Sequence, residues 1–503
     1  MESLKKINNK NILKISIILC SFLFAIPSII YLLQNKTILN FTNEYCFLLN
    51  NSDRVFQTGI YLLIIGLFCI LYCLIIKNRK TIFTNIKQIL LLVLIVSIFF
   101  TVVIPFESSD VFYYLGIGRI QSEYEQNPYY ISVKDYVDNN NVNMENDTVL
   151  QKGYNNYWSE TTVVYGAIWT LVCKIIAGLS FGNVDIGLFL FKLLNLMVHI
   201  FNCYMIYKIS HKKIFSIIYG LNPFVLIEAL SNVHNDIFVI AFILLATYFL
   251  IRKKNLFVAT LFLSLATAIK YFAILLLPIT IIYYFRKEKP QTRFINCIKY
   301  GLLFVVFLII PYLIYMQDLQ VFKGMADQQG KVTKGIYVLI AEYFTEPANL
   351  VEKISSLSLA IFIIAYFFKC ITLLANPKIS FRKEIQSFYW MLLIFIFVLI
   401  TAFQPWYLMW LCPIIMWQKA KDIKLITQMQ IMTLIANSVF LIYSENYRYG
   451  VPFFFIFVVG TLLCVIKNNN KKMINKKYEK SIRIWKYKMY KISKFRKSVS
   501  KFF

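Results

Sequence analysis

Charge is scarce in this chain. Only 16% of its 503 residues are Asp, Glu, Lys or Arg, where a soluble domain carries about a quarter; an ordinary water-soluble enzyme is excluded. Histidine is scarcer still. His199, His211 and His234 are the only three, too few and too scattered for a histidine-based metal cage. The ten cysteines contain no C-x-x-C pair, and Cys69 and Cys73 stand four apart inside one apolar run, which is a packing pattern. No disulfide framework or zinc site follows from them. A small-residue cleavage site is missing after the apolar stretch 15–33, which also contains Pro27. That stretch therefore reads as a first spanning helix and not as a signal peptide. Acid is the rarer charge, 25 Asp and Glu against 53 Lys and Arg. The net charge of +28 is what the positive-inside rule gives a membrane protein, and it calls for no nucleic-acid partner.

What the chain has in quantity is apolar length. Hydrophobic residues make up 59% and aromatics 17%, in runs that recur from Ile15 to Ile466. These runs predict an all-α polytopic membrane protein of about 14 transmembrane helices, near 15–33, 58–76, 86–104, 185–207, 214–231, 236–251, 256–269, 271–285, 300–316, 355–374, 386–403, 406–418, 424–443 and 451–466. Several fall short of the ~20 residues a bilayer requires, so tilted or broken helices are expected there. Residues 1–466 form the multi-spanning domain and 467–503 a basic tail that reads as an amphipathic helix on the anionic inner leaflet. With both termini cytoplasmic, every basic connector falls inside: Lys77–Lys80, Lys208–Lys213, Arg252–Lys254, Arg286–Arg293, Lys378–Lys383 and Lys419–Lys424. Segment Val163–Ser180 is apolar enough to cross but would invert all later loops. It is expected to lie in the interface or to re-enter from the outer side.

This parity places an acidic loop outside. Residues 105–162 carry nine acids against Arg119, Lys134 and Lys152, a net −6. The loop opens with Glu107-Ser-Ser-Asp110 and continues through Tyr113-Tyr114, Gly118-Arg119 and Asn127-Pro128-Tyr129-Tyr130. A carboxylate at the mouth of a membrane cavity can take a proton from a hydroxyl, and an arginine beside it can hold a phosphate. Equally, Asp110 can cap a helix and the aromatics can form an interfacial belt. Further outer turns carry Asn222-Pro223, Glu228, Asn232-Val-His234-Asn235-Asp236, Lys270 and Gln404-Pro405-Trp406-Tyr407. Polar groups at a membrane boundary are expensive unless solvated or used. Helix capping by Asn235 or Asp236 and snorkelling by Lys270 are the structural alternatives.

Taken in order, these motifs resemble the glycosyltransferase C superfamily, and most closely bacterial polyprenol-phosphate-mannose-dependent mannosyltransferases. Asp110 with Tyr113-Tyr114, Gly118-Arg119 and Asn127-Pro128-Tyr129 resembles the first-loop pattern that carries the catalytic acid of that superfamily. Tyr165-Gly166-Ala167 resembles its Tyr-Gly-Pro turn, with alanine in place of proline. Asn222-Pro223 through His234-Asn235-Asp236 to Lys270, and Pro405-Trp406-Tyr407-Leu408-Met409-Trp410, resemble its later motifs. The likeness spans roughly residues 85–420; the first two spans, the basic tail and the long Asn-rich stretch 131–160 lie outside the pattern.

The resemblance implies an inverting transfer of a hexose, mannose foremost, from a polyprenyl-phosphate donor to a glycan or glycolipid acceptor on the outer face of the cell membrane. It implies Asp110 as general base, Arg119 and Lys270 against the donor phosphate, and Tyr114, Tyr165, His234, Asn235, Asp236, Trp406 and Tyr407 around the substrate. No cofactor is required and no metal ligand is assigned, with a divalent cation left open. The competing readings are a flippase or transporter of lipid-linked glycans, and an outer-face glycan polymerase or ligase. Transporters often show two related halves, and no internal repeat is visible here.

Overall fold

A computed structural model describes residues 2–35, 37–39, 54–327, 331–344, 347–376, 378, 380–442 and 450–463. The loop around Cys46 and the basic tail from Lys467 lie outside the described residues. All regular elements among the described residues are helical. α1 (Glu2–Asn35), α2 (Arg54–Ile82) and α3 (Ile86–Val102) pack together and lead into the acidic loop. That loop is itself folded, as α4 (Asp110–Ser122), α5 (Val133–Asn140) and α6 (Thr148–Tyr154). α7 (Ala167–Leu179) lies along α4, and α8 (Val184–Ser210) follows. α9 (Lys213–Gly220) bends by 52° into α10 (Pro223–Leu226), which continues as a π-turn through Ser231. α11 (Asp236–Tyr248), α12 (Leu256–Thr267), α13 (Leu277–Tyr284) and α14 (Pro290–Ile309) come next, then the short α15 (Lys323–Ala326) and α16 (Tyr337–Tyr343). α17 (Pro347–Ala375), α18 (Phe381–Ile394), a 3₁₀ stretch Pro405–Trp417 and α19 (Ala420–Ile442) complete the bundle, with a last apolar helix at Gly450–Leu463.

The asparagine content has a local use. Asn85 accepts from the Gln88 N–H at 3.0 Å while the Gln88 side chain accepts from Thr84 N at 3.0 Å, closing the start of α3. Asn183 and Asn255 cap α8 and α12, and Asn222 caps α10 ahead of Pro223.

Five helices are long and apolar enough to cross a membrane, or six if the bent α9–α10 pair is one span. The expected fourteen are not reached on this measure, because several segments stop at polar turns. α11 and α12 have 13 and 12 residues, and the 406–418 segment is wound as 3₁₀ helix. α7 has 13 residues, about 20 Å at 1.5 Å per residue, short of a hydrocarbon core. The outer faces of α1, α2, α14 and α17 expose large apolar side chains such as Leu33, Leu63, Leu302 and Leu357, as lipid-facing helices do.

The connectors sort by charge. Lys213 Nζ donates to Thr84 O at 2.7 Å, Arg252 donates to Ile209 O, and Tyr284 OH donates to Lys254 O at 2.9 Å. Arg293 reaches Asn376 O at 2.7 Å, and Arg382 reaches Trp417 O at 3.2 Å. These bonds stitch the basic connectors into one end of the bundle. α3 runs away from that end for 17 residues, roughly 25 Å, to deliver the acidic loop at the other.

Candidate active site

The site begins with a polar stripe on an apolar helix. Lys192, Asn195, His199 and Asn202 share one face of α8 at spacings of three and four, and all are buried. Each reaches a backbone carbonyl at or beside a break between helices. Lys192 Nζ serves Val103 O, Leu230 O and Ser231 O at 2.6, 3.2 and 3.1 Å. Asn195 reaches Ala229 O at 2.7 Å, His199 Nε2 meets Gly220 O at 3.1 Å, and Asn202 reaches Ile237 O at 2.9 Å. Irregular backbone at membrane depth survives only with such partners. The stripe therefore holds the turn 103–110 and the broken segment 220–236 in mutual register. Lys192→Met should leave three buried carbonyls without a donor and lower stability by about 3 kcal/mol. Thermal unfolding of the purified protein against wild type measures this.

Asp110 is the first residue of α4, with Ser108 Oγ accepting from its N–H at 3.2 Å. Its carboxylate lines a cavity of about 390 Å³, within the range of small-ligand sites. Tyr165, Lys270, Trp406, Tyr407 and Trp410 also line it, and Phe272, Phe395, Leu399 and Ile400 supply apolar wall. Every contact the Asp110 carboxylate makes among the described side chains goes to Oδ2: Tyr114 OH at 3.5 Å, Tyr165 OH at 3.4 Å and His234 Nδ1 at 3.6 Å. Oδ1 is left to meet a ligand.

The turn Tyr165-Gly166-Ala167 docks on the loop that carries Lys270. Gly166 N donates to Ile269 O at 3.2 Å and Ile168 N to Ala268 O at 3.1 Å. A Cβ on Gly166 would run into the Ala268 carbonyl, so the turn rests on glycine and does without the proline of the related pattern. Lys270 Nζ holds both oxygens of Asp236, at 2.7 and 2.8 Å, and stands over the rings of Tyr407 and Trp410. An ammonium has three donors, so one remains for a ligand in the cavity. Tyr407 and Trp410 stack at 4.5 Å because side chains three apart eclipse on a 3₁₀ helix.

The other expected site residues fall elsewhere. Tyr114, four residues after Asp110, shares its face of α4 but is fully buried against Trp169. His234, Asn235 and Asp236 are also fully buried, behind the cavity wall. Trp406 stacks on the His234 ring at 3.7 Å, and Trp410 Nε1 donates to Asp236 at 2.5 Å. These three form a layer behind the residues that line the cavity. Arg119 stays away from the cavity. Its Nε donates to Asp147 Oδ2 at 2.6 Å and its Nη1 meets Glu123 at 3.2 Å. Nine residues at 100° each put Arg119 on the opposite face of α4 from Asp110. It clamps the acidic loop through the N-cap of α6, and its expected phosphate role is not supported by this placement.

Two further buried features escaped the sequence reading. Glu107 and Glu228 meet inside the protein, 4% and 1% exposed, bridged by two amides. Asn232 Nδ2 reaches Glu107 and Glu228 at 3.2 Å each, and Asn437 Nδ2 reaches them at 2.9 and 3.3 Å. Tyr61 OH adds a bond to Glu107 at 3.0 Å. Burial first, and then the second carboxyl that shares its two amides, push the Glu107 carboxyl above its usual range. Lys334 is the second. It is 4% exposed, its Nζ lies 3.4 Å from Gln404 Oε1 and over the Trp406 ring, and burial pulls its ammonium down to about 7. No local pattern marks either feature, since Asn437 and Lys334 arrive from distant turns. The α8 stripe was missed as well, although polar residues at helical spacing inside an apolar run are a signal that could have found it.

No cluster of three or more metal-ligating side chains occurs among the described residues. No curated protein and no solved structure matches the chain. Residues 19–286, more than half of the chain, match the alpha-(1->6)-mannopyranosyltransferase N-terminal domain family. That stretch brings Asp110, Glu228, His234, Asp236 and Lys270 together in one helical membrane bundle, and the chain belongs to this family of mannosyltransferases.

Proposed function

We propose that the protein transfers mannose from a polyprenyl-phosphate donor to a hydroxyl of a glycan or glycolipid acceptor, at the extracytoplasmic face of the cell membrane and with inversion. The observation that carries this reading is Asp110, a carboxylate on the cavity wall whose neighbours all draw on one oxygen. The acceptor oxygen attacks the anomeric carbon, and its proton passes to Asp110. The bond from that carbon to the phosphate oxygen breaks, and the lipid phosphate leaves with the electron pair. Its new charge needs fixed cations. Lys270 has one donor to spare, and the Lys334 ammonium lies beside Trp406 and Gln404, both of which line the cavity. The apolar wall of Phe272, Phe395, Leu399 and Ile400 suits the first isoprene units. An α-mannoside made by inversion needs a β-linked donor. The basic connectors at the opposite end of the bundle support an outward-facing cavity under the positive-inside rule.

Proteoliposomes supplied with labelled polyprenyl-phosphate mannose are the test. Label should move to acceptor with an α-configured product, and with EDTA present. GDP-mannose without lipid should yield none. Direct use of GDP-mannose, or passage of intact lipid across the bilayer without cleavage, would overturn the reading.

A further inference from the structure

His234 sits between two acids. Its Nδ1 is 3.6 Å from Asp110 Oδ2 and its Nε2 is 3.3 Å from Glu228 Oε2. Neither nitrogen has a hydrogen bond of ordinary geometry, although the ring is completely buried. Contacts of this length are common at catalytic groups before substrate tightens them. The ring cannot swing away to find other partners, because Trp406 is stacked on it.

A neutral imidazole has one N–H and one lone pair. Placed between two carboxylates, it would turn its lone pair on one of them. The row Asp110–His234–Glu228 therefore holds one proton more than two ionised acids and a neutral ring. Three sites could carry it. Burial pushes His234 down to about 4, against the pull of Asp110 and Asp236, so the ring is the poorest of them. Lys270 and Lys334 also face the ring and oppose its charging. Asp110 lines the cavity and already receives two tyrosine hydroxyls on Oδ2, so that oxygen is occupied as an acceptor. Glu228 lies deeper, shares the Asn232 and Asn437 amides with Glu107, and two carboxylates so placed do not both stay ionised. Glu107 has the extra bond from Tyr61.

We propose that Glu228 is a positioning residue for Asp110: it keeps a proton on Oε2, donates it to His234 Nε2, and so fixes the tautomer that gives Nδ1–H to Asp110 Oδ2. The consequence is an Asp110 carboxylate held in orientation, with Oδ1 ready for the acceptor proton. His234 and Glu228 never touch the sugar. This inference rests on the reading of Asp110 as general base, and it makes a structural claim of its own.

With three histidines in the chain, ¹⁵N-imidazole labelling in bilayers gives a readable spectrum, and the resonance lost in His234→Gln identifies the site. The expected signal is a protonated Nδ1 and a bare Nε2. Glu228→Gln, whose amide also donates, should keep that tautomer and hold kcat within about threefold, since geometry at Asp110 is retained. Glu228→Ala should release the tautomer and lower kcat by roughly tenfold or more, with KM for polyprenyl-phosphate mannose unchanged. An Nε2–H tautomer in the wild type would overturn the proposal, with no variant needed. Equal spectra, or equal kcat, for Glu228→Gln and Glu228→Ala would do the same. Wild-type protein that shows the Nδ1–H tautomer but transfers no mannose from the lipid donor would sink the donor reading and leave the tautomer standing.

Discussion

Asp110→Asn should fold as wild type, bind the lipid donor with unchanged affinity, and transfer mannose at least ~100-fold more slowly, the usual scale for a general base. The amide is isosteric and can still accept at Oδ1 from Tyr114, Tyr165 or His234, so the surrounding contacts at 3.4–3.6 Å need not move. What it loses is basicity. The defect should fall on kcat and leave donor KM nearly unchanged, because the proton moves only in the transition state. A rapid-quench measurement with donor saturating reads the chemical step alone. Transfer within a few fold of wild type would remove Asp110 from the role. The neighbours make the comparison sharp: Glu107, only three residues earlier, is buried against Tyr61, Asn232 and Asn437 and cannot stand in as a base from its place.

The two acids show how far the sequence could be read. The local run Glu107-Ser-Ser-Asp110 offers both as candidates, and the resemblance picks Asp110. Nothing local says that Glu107 turns inward to meet Glu228 through Asn437, 330 positions away. Arg119 lies apart from the cavity for a readable reason. Its distance from Asp110 is two and a half helical turns, so a helix beginning at Asp110 already sets it on the far face. The polar quartet of α8 could have been found by the same count and was not. The broken helices were harder. Hydropathy marks 214–231 and 406–418 as apolar, and it is blind to the π-turn at Ile227–Ser231 and the 3₁₀ winding at Pro405–Trp417. Both depend on side chains from other helices that satisfy the freed carbonyls, so tertiary context decides them.

Lys270→Met should carry the largest combined effect. It leaves Asp236, completely buried, without its cation. Breaking a buried pair from one side costs about 3–5 kcal/mol. If Lys270 also steadies the leaving phosphate, transfer should fall by roughly 10²–10³, as when one transition-state donor is removed elsewhere. A single variant mixes these two effects, and the partner separates them. Asp236→Asn added to Lys270→Met removes the stranded charge and keeps an oxygen for the Trp410 indole N–H. The double variant should regain most of the lost stability, measured by thermal unfolding, and none of the lost turnover. Recovery of both together would mean that Lys270 serves only Asp236, and the phosphate would then have to be met by Lys334 alone. Recovery of neither would mean that the ion pair itself sets the docking of Tyr165-Gly166-Ala167 on the Lys270 loop. In that case Lys270→Arg, which keeps the charge in a wider fork, should also be inactive. The pair would then be a structural brace for the cavity, and the spare donor on Nζ would have no use.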